Sequence, residues 1–494
     1  MTAMALAVLL PLLSASAAFI LPSQARLIGV STALLLLPLT LTLALDVFHS
    51  GPQHMALGGW FAPLGIALYA DGLTALLLCL VAVVGLGASC YALGYFTQAR
   101  SAGWWPLWLL LWTALNALFL ARDAFNLYVT LELMGLAAVG LVALEARAVA
   151  AAMRYLLVGL TGSLFYLLGV GLLYALHGTV DLPQLAHAIT ATPAAWVAMA
   201  MMSAGLLLKA ALFPLHFWLP PAHANAPAPV SAVLSALVVK AAFYVFLRLW
   251  MGPFEVLASP LTGQLLGLLG AGAILWGSLQ ALLAPRLKLV VAYSTVAQLG
   301  YLFLLFPLLF DRAVPQTGAV AWYGGVWLAL SHGLAKSGLF LAAGNILYAA
   351  GHDRVTELAG TGQQLPVSVF AIGLACASLM GLPPSGGFLG KWLLLNAAFV
   401  SGQWWWVLLL LVGGVLAAAY SFRVLLHAFR NREAEATVFP QPPATGRQPP
   451  PLMEWAALSL AAAALLLGVF SAPPLALLAV GDVPGELTLM EASP

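Results

Sequence analysis

The chain has 494 residues, of which 63% are hydrophobic and 7% charged, with a net charge of +2 and a mean hydropathy of +1.02. No soluble domain carries that composition, so the chain reads as a polytopic membrane protein. The net charge says nothing about nucleic acid, and no basic run or aromatic platform suggests it, so none is expected as a partner. The three cysteines, Cys79, Cys90 and Cys376, fall in apolar stretches and read as core packing rather than disulfides or ligands.

The first segment, MTAMALAVLLPLLSASAAFI, lacks the basic start of a signal peptide and reads as a first spanning helix. About 14 apolar segments of spanning length follow one another, with cores at 4–20, 27–45, 72–97, 104–121, 124–144, 155–177, 195–213, 229–250, 263–284, 289–309, 318–348, 365–400, 404–427 and 454–479. The eleventh and twelfth are long enough to be tilted, extended or broken. A stretch rich in Pro, Ala and charge, Asn431–Pro451, joins the last two and reads as irregular.

Loop charges support the count. Connections after odd-numbered helices carry Arg26, Arg100, Arg147, Arg154, Arg286, Lys288, Arg354, Arg430, Arg432 and Arg447; those after even-numbered helices carry Arg122, Arg248 and Arg312. Ten against three is a positive-inside bias that puts the odd connections in the cytoplasm and both termini outside. The membrane expected is the bacterial inner membrane.

Two segments carry breaks. FPLHFWLPPAHANAPAPVSA, from Phe213 to Ala232, contains five prolines that a continuous helix does not hold. GLPPSGGFLGKW, from Gly381 to Trp392, is the second. Broken helices at membrane depth are tolerated beside protein or a water-filled cavity, and a pair of them points to a transporter built on inverted repeats.

Four of the five lysines, Lys209, Lys240, Lys336 and Lys391, lie inside apolar segments, and Glu132 lies in another. Each charge at mid-depth costs roughly 2.5–3.5 kcal/mol, so the four lysines together cost on the order of 10 kcal/mol. Groups retained at that cost usually mark an ion path or a proton relay.

The residues around these charges resemble a known family. DAFNLYVTLE, from Asp123 to Glu132, with the preceding NALFLARD, resembles the fifth-helix motif of the D-type subunit of Mrp-type multisubunit sodium/proton antiporters. KAALFPLHFWLP from Lys209 to Pro220, followed by APAPVSAVLSALVVK up to Lys240, is similar to the seventh- and eighth-helix signature of a wider superfamily. That superfamily includes the antiporter-like subunits of respiratory complex I and membrane hydrogenases. Arg154–Leu182 is similar to its sixth helix, LKLVVAYSTVAQLGY (Leu287–Tyr301) to its tenth and GLPPSGGFLGKW to its twelfth.

The resemblance covers roughly residues 70–430. It implies an all-α polytopic membrane protein of 14 helices, with two inverted five-helix repeats (helices 4–8 and 9–13) and discontinuous helices 7 and 12. The implied units are 1–103 (helices 1–3), 104–262 (first repeat), 263–430 (second repeat), 431–452 (linker) and 453–494 (helix 14 and tail).

A buried lysine near a movable carboxylate is a switch for its proton, because the carboxylate stabilises the ammonium and low dielectric opposes it. The resemblance implies such a pair in Glu132 and Lys209; a static ion pair is the alternative. It implies that Lys240 is a connecting element along a central axis, against a lysine that snorkels to the surface. It also implies that Lys391 is the terminal lysine, against one that merely caps carbonyls at the broken helix. His332 and Lys336 are four apart and share one helix face, and histidine titrates near neutrality, which suits a relay. Tyr293, Ser294, Thr295 and Gln298 are placed to hold waters in the tenth helix. Asp71 reads as interfacial, and Arg423 as snorkelling.

No cofactor or metal site is expected: no nucleotide, flavin or haem motif is present, and His49, His54, His187, His216, His223 and His352 lack metal spacing. The expected partners are protons, Na+ or another monovalent cation, and other membrane subunits. Any sodium path is expected to involve those subunits or an interface. The leading function is a proton-translocating subunit of a cation/proton antiporter, an ion-transporting subunit rather than an enzyme. The alternative is the same fold in a complex I or a hydrogenase. A polytopic glycosyltransferase would need paired carboxylates in a large external loop, and a degenerate scaffold would not need the full set of lysines.

Overall fold

The computed structural model describes residues 2–60, 62–63, 65–311, 313–314, 316–430 and 447–481. Arg312, Arg432, most of the 431–452 linker and the tail beyond 481 lie outside the described residues. Twelve of the described helices are long and apolar enough to cross a membrane. The first six are Thr2–Ile20, Ala25–Ser50, Gly72–Tyr95, Gln98–Leu120, Ala124–Ala143 and Val149–His177. The others are Ala228–Trp250, Pro260–Leu283, Leu287–Leu309, Gln316–Ala350, Trp404–Phe429 and Pro451–Val469. The two remaining segments of the sequence count are the interrupted ones. Numbered in chain order, helix 7 is split into Pro193–Lys209 and Leu219–Asn225, and helix 12 into Pro366–Met380 and Gly386–Val400. The two breaks are five helices apart, the spacing that a pair of five-helix repeats would give them.

Local chemistry explains both interruptions. Helix 7 stops at Lys209 and the chain reverses at Ala211, whose φ of 54° is left-handed. Prolines at 214, 220 and 221 remove the donors that would continue it. The Trp218 indole N–H donates to the Leu208 carbonyl at 3.0 Å, satisfying one acceptor of the last turn. Helix 12 stops at Gly381, in the left-handed region that glycine adopts freely. It restarts at Ser385, whose hydroxyl accepts from the Phe388 N–H at 3.2 Å.

Helices 8 and 11 are enclosed by the others over their whole apolar windows, whereas only about a third of helices 1, 6 and 14 is buried. Lys240, His332 and Lys336 therefore ride on the two innermost helices. Helix 11 is continuous over 35 residues, about 52 Å at 1.5 Å per residue, well beyond a hydrocarbon core of about 30 Å. It is extended rather than broken. Helix 8 widens into a π turn over Leu234–Val238, an irregularity common at functional sites.

One small departure from an all-helical chain appears between helices 2 and 3, where Gln53–Ala56 pairs antiparallel with Ala67–Ala70. Asp71 follows this hairpin. Its carboxylate caps helix 3 through the Thr74 N–H at 2.9 Å and pairs with Arg248, at the end of helix 8, at 2.5 Å. Arg423, expected to snorkel, donates to the carbonyls of Leu282 and Ala284 at 2.8 and 2.9 Å, capping the end of helix 9.

Helices 6 and 7 cross at two glycines, and a Cβ on Gly205 would lie 2.2 Å from the Gly162 carbonyl oxygen. That contact fixes the height of Lys209, one turn beyond Gly205. Gly205→Val is expected to force the helices apart and cost about 1–3 kcal/mol. A lowered melting temperature of the purified, assembled protein would register it; an unchanged one would show that the crossing yields freely.

Candidate functional site

Lys209 is the last residue of the first half of helix 7. The last carbonyls of that half are already engaged: Leu206 accepts from the Ala210 N–H, Leu207 from the Leu212 N–H, and Leu208 from the Ala211 N–H and the Trp218 indole. Glu132 faces Lys209 from helix 5, with Lys209 Nζ 3.1 Å from Glu132 Oε1. The Ser163 hydroxyl, from helix 6, donates to the same carboxylate oxygen. The lysine side chain is 7% exposed and the glutamate 20%. A cavity of about 20 Å³, room for about one water, adjoins the pair, and its rim includes the exposed Leu136 and Leu160. The pair thus lies toward the flank of the molecule.

The other lysines lie deeper. Lys240 is buried and donates to the carbonyl of Ser235, five residues back across the π turn. Lys336 is wholly buried; it donates to the Val291 carbonyl at 2.9 Å and to the Ser294 hydroxyl. His332, one turn earlier on helix 11, is buried within electrostatic reach of Lys240, Lys336 and Lys391. Neither of its ring nitrogens has a hydrogen-bond partner among the described residues. Lys391, in the second half of helix 12, reaches back to the first half. It donates to the Leu379 and Met380 carbonyls at 2.7 and 3.3 Å and lies 4.4 Å from the Tyr301 ring centre.

Helix 10 is the spine that joins these positions. The Val291 carbonyl accepts from Lys336, from Ser294 at 2.9 Å and from Thr295 at 3.0 Å. Thr295 also meets the Ser235 hydroxyl of helix 8 at 2.9 Å. One turn on, Gln298 donates to the Leu379 carbonyl at 3.1 Å, the same oxygen that holds Lys391. Of the four polar residues singled out in helix 10, three touch the lysine framework directly, while Tyr293 packs at the edge of the apolar core. Glu132 and Lys209 are brought into contact; Lys240, Lys336 and Lys391 occupy separate seats. A carbonyl accepts but does not pass on a proton, so transfer between seats needs hydroxyls or water.

Two further residues belong to this set. Lys288, which follows the helix 9–10 connection and looks like a loop charge, is wholly buried and donates to the Ala226 carbonyl at the end of the helix 7 fragment. His223, in that fragment, is buried, stacks on Phe340 with ring centres 5.0 Å apart and lies within electrostatic reach of Lys288, Lys336 and Lys240. The one signal in the sequence was the position of Lys288 at the start of an apolar run; its cover comes from helix 7, about sixty residues away (62 for Ala226). Asp353 organises the same end: it accepts from the Arg286 Nε at 2.8 Å and from the Lys288 backbone N–H at 3.3 Å.

Comparison with known proteins shows the family of the chain. Residues 121–417 match the family described as NADH:quinone oxidoreductase/Mrp antiporter, TM. The chain is 36% identical over 419 residues to the N-type subunit of the NADH-quinone oxidoreductase of Desulforudis audaxviator, covering 83% of this chain and 80% of that one. It is 28% identical over 440 residues to the D-type subunit of the Na(+)/H(+) antiporter of Bacillus subtilis, covering 87% of each. In three dimensions it resembles a chain of the Mrp complex from Dietzia sp. DQ12-45-1b, with a TM-score of 0.89, 25% identity and coverage of 99% and 98%.

Asp353→Ala would strip Arg286 and the start of helix 10 of their shared carboxylate. Breaking a buried pair costs 3–5 kcal/mol, and Arg286, 31% exposed, recovers part of that from water, so about 2 kcal/mol is expected. A thermal melt of the assembled protein measures it; no change in midpoint would mean that Asp353 does not hold this end together.

Proposed function

From the premise that this chain belongs to the NADH:quinone oxidoreductase/Mrp antiporter membrane family, we propose that it carries protons across the membrane as one subunit of a multisubunit monovalent cation/proton antiporter. The observation that carries this reading is the Glu132–Lys209 contact at 3.1 Å, at the flank of a fold whose interior holds further lysines. At that distance and an effective dielectric of about 20, the attraction is about 5 kcal/mol. While the carboxylate is in place, Lys209 holds its proton. When the carboxylate swings away or is neutralised, the ammonium loses its charged partner and tends to release the proton inward.

The inner residues then have distinct roles in this reading. Lys240 and Lys336 receive protons along helices 8 and 11, with Ser235, Thr295 and Ser294 as the polar contacts between them. His332, free at both nitrogens among the described residues, is the group able to accept on one side and donate on the other. Lys391 is the terminal exchanger at the helix 12 break. Lys288 and His223 extend the path toward the end of the fold that the loop charges assign to the cytoplasm. The division into units at 103/104, 262/263, 430/431 and 452/453, the bacterial plasma membrane and extracytoplasmic termini complete the proposal.

A second reading has its own support. The 36% identity to the N-type subunit of a NADH-quinone oxidoreductase favours the same fold in a redox-driven complex. The co-purifying subunits separate the two: small membrane proteins indicate the antiporter, and iron–sulfur or quinone-binding subunits the redox machine.

The test is cation-driven proton flux in everted vesicles carrying the complete set of subunits. Glu132→Ala, Lys209→Ala and Lys391→Ala are each expected to abolish most of the flux at equal assembly on a blot. Undiminished flux in assembled variants would make these charges structural and end the relay reading.

A further inference from the structure

Along helix 10, the groups that hold Lys336 and Lys391 stop short of one another. The Ser294 hydroxyl accepts from Lys336 and gives its own proton to the Val291 carbonyl. Gln298, one turn on, gives an amide N–H to the Leu379 carbonyl that holds Lys391. Neither an amide N–H nor a carbonyl readily hands a proton onward. A hydroxyl does, because it accepts and donates at one oxygen.

Helix 13 supplies such a hydroxyl. Its buried stripe runs through Gly413, Ala417 and Tyr420. At Gly413 it approaches helix 10 so closely that a Cβ there would lie 2.2 Å from the Tyr301 hydroxyl oxygen. Two turns on, Tyr420 is 2% exposed and lies close enough to Ser294 and Gln298 to interact with both. It is also within electrostatic reach of Tyr301, the ring beside Lys391.

The Tyr420 hydroxyl completes no hydrogen bond among the described residues, and neither does Gln298 Oε1. Buried polar atoms are nearly always paired, with protein or with an ordered water. A buried water needs at least two polar partners, and a phenol oxygen and an amide oxygen near one another supply them. The phenol is neutral at rest, so it adds no charge to a compartment that already holds Lys240, Lys336 and Lys391.

We propose that the Tyr420 hydroxyl hands protons from the Lys336 seat to the Lys391 seat, through one water held at Gln298 Oε1. The Lys336 ammonium gives a proton to the Ser294 oxygen. The Ser294 hydroxyl proton, turned away from the Val291 carbonyl, passes to the Tyr420 oxygen. The phenolic proton passes to the water, and a proton of that water passes to the neutral Lys391 amine. Lys336 ends neutral and Lys391 charged; both hydroxyls and the water end with the protons they began with, and no tyrosinate forms when the steps are concerted. Tyr420 is thus a relay residue on a helix that carries none of the buried charges of the path. The inference rests on the proton-relay reading and deepens it.

Tyr420→Phe in the complete complex tests it, because the ring stays and only the oxygen is removed. At equal assembly on a blot, cation-driven proton flux in everted vesicles is expected to fall at least tenfold. Tyr91→Phe, on helix 3, removes another buried hydroxyl without a hydrogen-bond partner among the described residues and is expected to keep full flux. His332 also lies within electrostatic reach of both lysines. Were the imidazole sufficient for this step, Tyr420→Phe would leave flux unchanged, and that result overturns the proposal. Equal losses in Tyr420→Phe and Tyr91→Phe overturn it as well. Flux lost in Glu132→Ala but kept in assembled Tyr420→Phe removes the role of Tyr420 and leaves the relay reading intact. A density map of the complete complex that shows ordered waters is the arm independent of flux. A water bonded to both Gln298 Oε1 and the Tyr420 hydroxyl is expected, and its absence overturns the proposal. That water in a wild-type complex without cation-driven flux would sink the antiporter reading and leave the Tyr420 site standing.

Discussion

An ammonium group far from water must be given oxygens, and the architecture follows from how this chain supplies them. Lys209 has a carboxylate. The other four lysines sit on backbone carbonyls: Lys240 on Ser235, Lys288 on Ala226, Lys336 on Val291, and Lys391 on Leu379 and Met380. Three of those seats exist because a helix is irregular there. The π turn brings the Ser235 carbonyl to Lys240, and the two broken helices expose the ends that hold Lys288 and Lys391. Hydrogen bonds to charged groups are worth about 1.5–3 kcal/mol each, enough to offset much of the cost of placing a charge at mid-membrane. The interruptions are therefore part of the charge chemistry, beyond being tolerated defects.

The same constraint separates an outer from an inner compartment. The Glu132–Lys209 pair lies at the flank, beside a cavity with exposed leucines at its rim. Lys240, His332 and Lys336 lie on helices enclosed by the rest of the bundle. Helix 10 ties the inner groups together, because its Val291 carbonyl and the hydroxyls of Ser294 and Thr295 touch both helix 8 and helix 11.

Much of this was legible in the sequence, because membrane helices are set by local composition. The apolar segments, the prolines that break helix 7 and the Gly-Pro run that breaks helix 12 each act within a few residues. The lysines stood out because each lies alone in an apolar run. What was not legible depends on chain segments far apart. Lys288 looks like a loop charge until the helix 7 fragment covers it, and His223 is unremarkable until the fold brings it within electrostatic reach of three lysines. That Arg423 caps two carbonyls at the end of helix 9 likewise depends on a segment about 140 residues away (141 for Leu282). The hairpin at 53–56 and 67–70 has no alternating apolar pattern to announce it, and the π turn carries no residue signature.

The carbonyl seats have a consequence for how such a protein appears in a mutational map. Side-chain replacement removes a lysine or a glutamate, but it leaves every main-chain oxygen in place. Val291 and Leu379 would score as ordinary apolar positions in an alanine scan, and Ala226 would not be changed by it, although each presents an oxygen that receives an ammonium. Half of the site is thus invisible to genetics that edits side chains. It becomes visible only to changes of backbone shape, such as a residue inserted into the π turn of helix 8 or an ester in place of a peptide bond.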